Sequence, residues 1–143
     1  MTDVTFDFHE LTDFQKKLLA EVKDRFPSET KKFLQEEAKK LKKIVTANSK
    51  TLVKKKTGNY LKGIKTGKVY KRGGLLSSDT CIRVYNDAPH AHLIETGHKM
   101  ENGGRVQGRY VLEKSQNRFN SEFTKDCSAF LEDFTETCLT GGK

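Results

Sequence analysis

The sequence predicts a single-domain α+β fold in which two long helices pack on a small, mainly antiparallel sheet. Three observations predict it. Apolar residues recur at helical spacing near each end of the chain. Between these regions, short runs alternate apolar and polar residues and are punctuated by Gly, Asn and Pro. The 143 residues suit one compact domain, and no internal repeat or linker divides them. Residues 1–143 are therefore read as one domain, with flexible ends expected at 1–10 and 140–143.

The first helix is expected over residues 11–26, where Leu11, Phe14, Leu18, Val22 and Phe26 form one stripe. Thr12 followed by Gln15 reads as a capping box, and Pro27 is expected to stop the helix. Ser28 then caps a second helix running to about Val53. Its stripe of Leu34, Ala38, Leu41, Val45, Asn48 and Leu52 steps by four and three alternately, the seam of a helix lying along another helix. Such a helix is about 39 Å long.

Thr57-Gly58-Asn59 breaks it. A strand with an irregular middle is expected over Tyr60–Arg72, a turn at Gly73-Gly74, and a strand over Thr80–Tyr85. Asn86-Asp87-Ala88-Pro89 reads as a turn, and His90–Thr96 reads equally as strand or helical turn. Residues 97–108 hold four glycines and are expected to form a mobile loop, either simply disordered or an arm that orders on docking. A brief strand at Arg109–Leu112 precedes a final helix over about Glu113–Leu139. Phe119, Phe123, Phe130 and Phe134 on that helix are expected to be core, within the subunit or at a contact between subunits.

Charge is concentrated rather than spread. The chain carries +8, and residues 39–72 alone carry thirteen Lys or Arg with no acid, so the remainder carries −5. A basic segment suits a solvated helix face, an acidic neighbouring protein, or nucleic-acid phosphate. No series of aromatics accompanies it, which argues against a dedicated single-strand binder. The candidate interaction residues are Lys39, Lys43, Lys54, Lys55, Lys56, Lys71, Arg72, Arg105 and Arg109.

Cys81, Cys127 and Cys138 are too few and too scattered for a disulfide framework or a zinc site, and reduced thiols are expected. No stretch approaches the length of an apolar membrane span, and no basic, apolar signal region opens the chain. A protein made and kept soluble in a cytoplasm, without membrane contact, is the expectation.

Motifs for catalysis are weak. His90, His92, Glu95 and His98 form the one cluster that suggests a metal, yet no second carboxylate or cysteine stands at fixed spacing. The blander reading, loop histidines beside a structural glutamate, is preferred. Gly63-Ile64-Lys65-Thr66-Gly67-Lys68 is one residue short of a phosphate loop, and Val69 stands where a hydroxyl must bind Mg²⁺. No catalytic residue, metal or cofactor is assigned.

Three stretches carry a more specific signal: Thr57-Gly58-Asn59-Tyr60-Leu61, then Val84-Tyr85-Asn86-Asp87-Ala88-Pro89-His90-Ala91-His92-Leu93-Ile94-Glu95-Thr96-Gly97, then Gly108-Arg109-Tyr110-Val111-Leu112. With a long charged helix before and an amphipathic helix after, the chain resembles the tail-component family of long-tailed phages and prophages. Members of that family are variously described as tail completion, neck or head–tail joining proteins. The resemblance covers roughly residues 10 to 138, and Ala91, Glu95 and Gly97 are its most specific part. Members often carry an aromatic residue where Thr96 stands and Thr where His98 stands.

The resemblance implies a non-enzymatic virion subunit of the tail or neck, made in the host bacterial cytoplasm. It implies a ring, a hexamer in the virion, between the head connector and the tail tube or tail terminator, with possible passing contact with phage DNA. It implies structural roles for Gly58, Tyr85, Ala91, Glu95 and Gly97. A carboxylate at Glu95 can accept backbone N–H groups and pin the turn before Gly97. The alternatives are a basic DNA-binding protein without a ring, and a small metal-dependent nuclease using His90, His92 and Glu95.

Overall fold

A computed structural model describes residues 9–54, 58–73 and 79–141 of the chain, with side chains from residue 12 onward. Lys55, Lys56, Thr57, Gly74 and most of the ends expected to be flexible lie outside the described residues.

Helix α1 (His9–Leu52) is a single helix of 44 residues, about 66 Å long. It begins before Thr12, which is therefore not a cap, and it continues past Pro27 without a break. Two separate helices were expected from the missing proline N–H and the clash of its ring with the preceding turn, a cost of about 3 kcal/mol. Aromatic contacts on either side of the proline offset that cost. Phe26 meets Phe134 edge-on at 5.1 Å, and Phe33 stacks on Phe130 at 4.6 Å. Such pairs are worth about 0.5–1.5 kcal/mol each beyond the area they bury. The Ser28 hydroxyl donates backward to the Arg25 carbonyl at 3.0 Å instead of capping a new helix.

Helix α4 (Val111–Thr140) runs antiparallel to α1. Along the pair, Phe26 lies beside Phe134, Phe33 beside Phe123 and Phe130, Lys40 beside Asp126, and Asn48 beside Ser115. The expected seam is the covered face: Ala38 and Val45 are buried and Leu34, Leu41, Asn48 and Leu52 are half-buried. Asn48 supplies its one polar layer, donating to Ser115 Oγ at 2.8 Å, and Ser115 donates to the Val111 carbonyl at 2.6 Å.

The strand regions form three antiparallel ribbons of three-residue strands. β1 (Ile64–Thr66) pairs with β4 (Val84–Asn86), β2 (Tyr70–Arg72) with β3 (Asp79–Cys81), and β5 (Gly97–Lys99) with β6 (Arg105–Gln107). The antiparallel sense is as expected, and the strands are shorter. Residues 60–62, read as strand, belong to the one-turn helix α2 (Asn59–Lys62), which starts at left-handed Gly58. Tyr60 on α2 and Ile64 at the start of β1 are both buried.

Helix α3 (Ala91–Thr96) settles the ambiguous stretch as helical. The glycine-rich run 97–108 is the β5–β6 hairpin rather than an open loop. Its turn is closed by Met100 N–H to the Gly104 carbonyl at 2.8 Å and Gly103 N–H to the Met100 carbonyl at 3.0 Å. Glycine here supplies turn geometry, with Gly103 at φ 83°. Residues 109–112 are not a strand: Tyr110 adopts a left-handed φ of 51° and α4 begins at the next residue.

Val45, Tyr60, Ile64, Ala91 and Val111 form the core beneath the C-terminal end of α1, so α1, α2, β1, β4, α3 and α4 all pack on one cluster. Among the described residues, no helix is long and apolar enough to cross a membrane.

Candidate functional site

The three motif stretches converge on Glu95. Its carboxylate is held on α3 and reaches two other elements. Oε1 accepts the Tyr60 hydroxyl at 3.1 Å and the Leu112 N–H at 3.1 Å, and Oε2 lies 3.3 Å from the same N–H. Leu112 is in the first turn of α4, whose leading N–H groups have no partner within the helix. Tyr110, the residue before α4, offers no side-chain cap, so Glu95 caps the helix from a distance in sequence. A negative group there also faces the positive end of the helix dipole. Burial, and then the Glu95 carboxylate, hold the Tyr60 hydroxyl well above its ordinary pKa, so it remains a proton donor.

The backbone reinforces this join. Arg109 N–H donates to the Ile94 carbonyl at 2.7 Å and Tyr110 N–H to the Glu95 carbonyl at 3.2 Å. Close approach demands glycine at two flanking points. A Cβ on Gly97 would lie 2.1 Å from the Val106 carbonyl oxygen, and one on Gly108 would lie 2.3 Å from that of Glu95. Asn86 ties in the remaining strand: Nδ2 donates to the Tyr60 carbonyl at 2.9 Å and Oδ1 accepts the Ala88 N–H at 2.9 Å.

Of the predicted motif residues, Gly58, Ala91, Glu95 and Gly97 therefore meet in and around this knot. Tyr85 does not; it is exposed on β4, beside Gly67. Glu95 pins the start of α4, whereas the expectation placed its bonds at the turn before Gly97. Tyr60, Asn86 and Gly108 were not singled out as site residues, although each lies in a motif stretch. The polarity of Tyr60 and Asn86, and the missing side chain of Gly108, were the available signals.

Next to the knot lies a cleft of about 610 Å³. Val53, Leu61, Pro89 and Ile94 contribute to its largely apolar walls, and Lys50 and Lys54 also line it. Lys39, Lys42, Lys43 and Lys50 also border a shallow surface groove along α1, about 490 Å³ in volume. Lys71 and Arg72 lie on β2, Arg105 on β6, and Arg109 between β6 and α4, so the candidate basic residues are distributed over several elements.

Lys40 makes an ion pair that spans the two long helices. It bridges Glu37 at 2.8 Å and Asp126 at 2.7 Å, joining α1 to α4. Hydrogen bonds to Asp126 and then Glu37 push the Lys40 pKa up. The same lysine holds Asp126 below the usual carboxylate value. Glu37 is 3% exposed, and burial raises its pKa. Burial likewise raises that of the Cys127 thiol.

His90, His92 and His98 are exposed. Because residues 91–96 are helical, His92 is not placed by a strand on the face of His90. Among the described residues, no group of three or more His, Cys, Asp or Glu side chains could hold a metal ion. Gly63–Lys68 enters strand β1, not the loop-to-helix junction that cradles phosphate.

A family model described as "Bacteriophage HK97-gp10, putative tail-component" matches residues 10–97, a span that holds α1 from its second residue, the β1–β4 ribbon and Glu95. No curated protein and no solved structure matches the chain.

Proposed function

This chain belongs to the HK97-gp10-like family of bacteriophage tail components, and from that premise we propose that it is a structural subunit of the head–tail neck. Copies of it close or complete a ring, six in the virion, between the head connector and the tail tube or tail terminator. Made in the host bacterial cytoplasm, it acts by shape rather than by turnover. Identical wedges in head-to-tail contact close a ring when their rotation is commensurate.

One observation chiefly supports this reading. α1 outruns its partner helix. Phe26 lies beside Phe134, six residues before α4 ends, so α1 projects past that end from about residue 20 back to His9, some 16 Å. The projection and its base carry Phe14 at 43% exposure, Leu19 at 68% and Val22 at 40%, and Leu139 on α4 is 54% exposed. Large apolar side chains gathered at one tip are what a subunit contact covers. The motif residues, meanwhile, tie the frame that holds both helices.

Deleting the coding sequence from the phage tests the proposal. Electron microscopy of the lysate should show filled heads separated from tails, with joining restored by the supplied protein. Intact, infective particles without it would overturn the reading. The strip of Lys39, Lys42, Lys43 and Lys50 favours a second reading, duplex DNA binding without a ring. That reading requires affinity that falls steeply with salt and no self-association.

A further inference from the structure

We propose that the apolar cleft beside the knot receives residues 1–8 of a second copy of this chain. The inference rests on the ring reading for its biological setting and on the following observations for its chemistry.

The cleft is largely apolar, lined in part by Val53, Leu61, Pro89 and Ile94, and Lys50 and Lys54 line it as well. Neither lysine has an ion-pair partner among the described residues. A fitting occupant is a short segment with apolar groups on one side and acids on the other. Met1-Thr2-Asp3-Val4-Thr5-Phe6-Asp7-Phe8 has that composition: Val4, Phe6 and Phe8 alternate with Asp3, Thr5 and Asp7, and no Lys or Arg is present. In an extended chain, positions 4, 6 and 8 share one face and 3, 5 and 7 the other. Phenylalanines can then enter the cleft while the carboxylates face the lysines.

Reach decides that the segment comes from another molecule. His9 and Lys50 lie at opposite ends of one helix, 41 residues apart in number, which is about 62 Å. Eight residues fully extended span at most about 29 Å. The segment cannot return to the cleft of its own chain. Donated in one direction from copy to copy, the segment links each to the next in a head-to-tail sense, the sense a ring needs.

A synthetic peptide of residues 1–8, titrated into the isotope-labelled full-length protein, tests the cleft directly. Saturable NMR shifts are expected at Leu61, Ala91 and Ile94 and not at the β5–β6 turn. Replacing Phe6 by Asp in the peptide should weaken binding about tenfold or more, from the loss of one buried aromatic side chain. The surface change K50E/K54E should weaken it too and reduce its salt dependence. Shifts absent, or centred elsewhere, overturn the proposal, as does equal binding by the Phe6→Asp peptide. Microscopy of the protein with its connector reads the ring separately. Rings without peptide binding reject this inference alone, and peptide binding without rings rejects the ring and retains the cleft as a self-association site.

Discussion

The hydroxyl of Tyr60 donates to the carboxylate of Glu95 at 3.1 Å, joining positions 35 residues apart. The same carboxylate receives the Leu112 N–H, so one side chain connects α2, α3 and the start of α4. Removing it leaves two donors without their acceptor in a partly buried place. Glu95→Ala should destabilise the fold by about 3 kcal/mol and Tyr60→Phe by about 1–2 kcal/mol. The two losses should be less than additive in a double-mutant cycle followed by urea unfolding. Additive losses would show that the two groups act independently.

Gly97 and Gly103 both have positive φ, at 77° and 83°, but differ in space. A Cβ on Gly97 would collide with the Val106 carbonyl, whereas one on Gly103 would meet nothing within 4 Å. Gly103→Ala should cost about 1 kcal/mol from backbone conformation alone. Gly97→Ala should cost about 2 kcal/mol or more and expose the β5–β6 amides to hydrogen exchange. Equal effects at both positions would refute the packing argument.

Pro27 is carried inside α1 by the aromatic contacts around it. Pro27→Ala should restore a helical N–H and stabilise the protein by about 1–3 kcal/mol, read as a rise in melting temperature. Phe130→Ala removes contacts to Phe26, Phe33 and Phe134 together and should cost about 3–5 kcal/mol. If Pro27→Ala proved destabilising, the proline would be shaping a bend that packing requires.

Glu37 and Asp126 give stability two opposed responses to acid. Glu37 is raised above its ordinary 4.5, so the folded state takes up its proton first and gains stability as pH falls toward 4.5. Asp126 is lowered below its ordinary 3.8, so its contribution is complete above that value and is lost as pH falls through its folded pKa. Thermal melts should therefore show stability rising on mild acidification and falling below about pH 4. Glu37→Gln should abolish the rise while leaving the fall, and an unchanged profile would remove Glu37 from the account.

Much of the knot was visible in the sequence as composition but not as connection. Glu95 and Gly97 stood out as members of a specific stretch, and Gly58 as a helix break. That Glu95 caps α4 was not legible, because its partners lie 35 residues before and 17 after it. Tyr85 matched the same stretch, yet strand alternation turns it outward. The lysines of residues 39–50 were legible as a charged helix face, but the bond of Lys40 across to α4 depends on Asp126, 86 residues away.

By itself the sequence determined the long seam of α1, the phenylalanine face of α4 and the antiparallel sense of the short strands. Each is a repeating pattern, and burial of one face acts on every period of it. Tertiary structure alone decided that α1 continues through Pro27, that residues 97–108 close into a hairpin, and that α4 begins at Val111. At those three places local preference is worth only a few kcal/mol. Aromatic packing against α4, backbone bonds to residues 94 and 95, and a distant carboxylate together outweigh it.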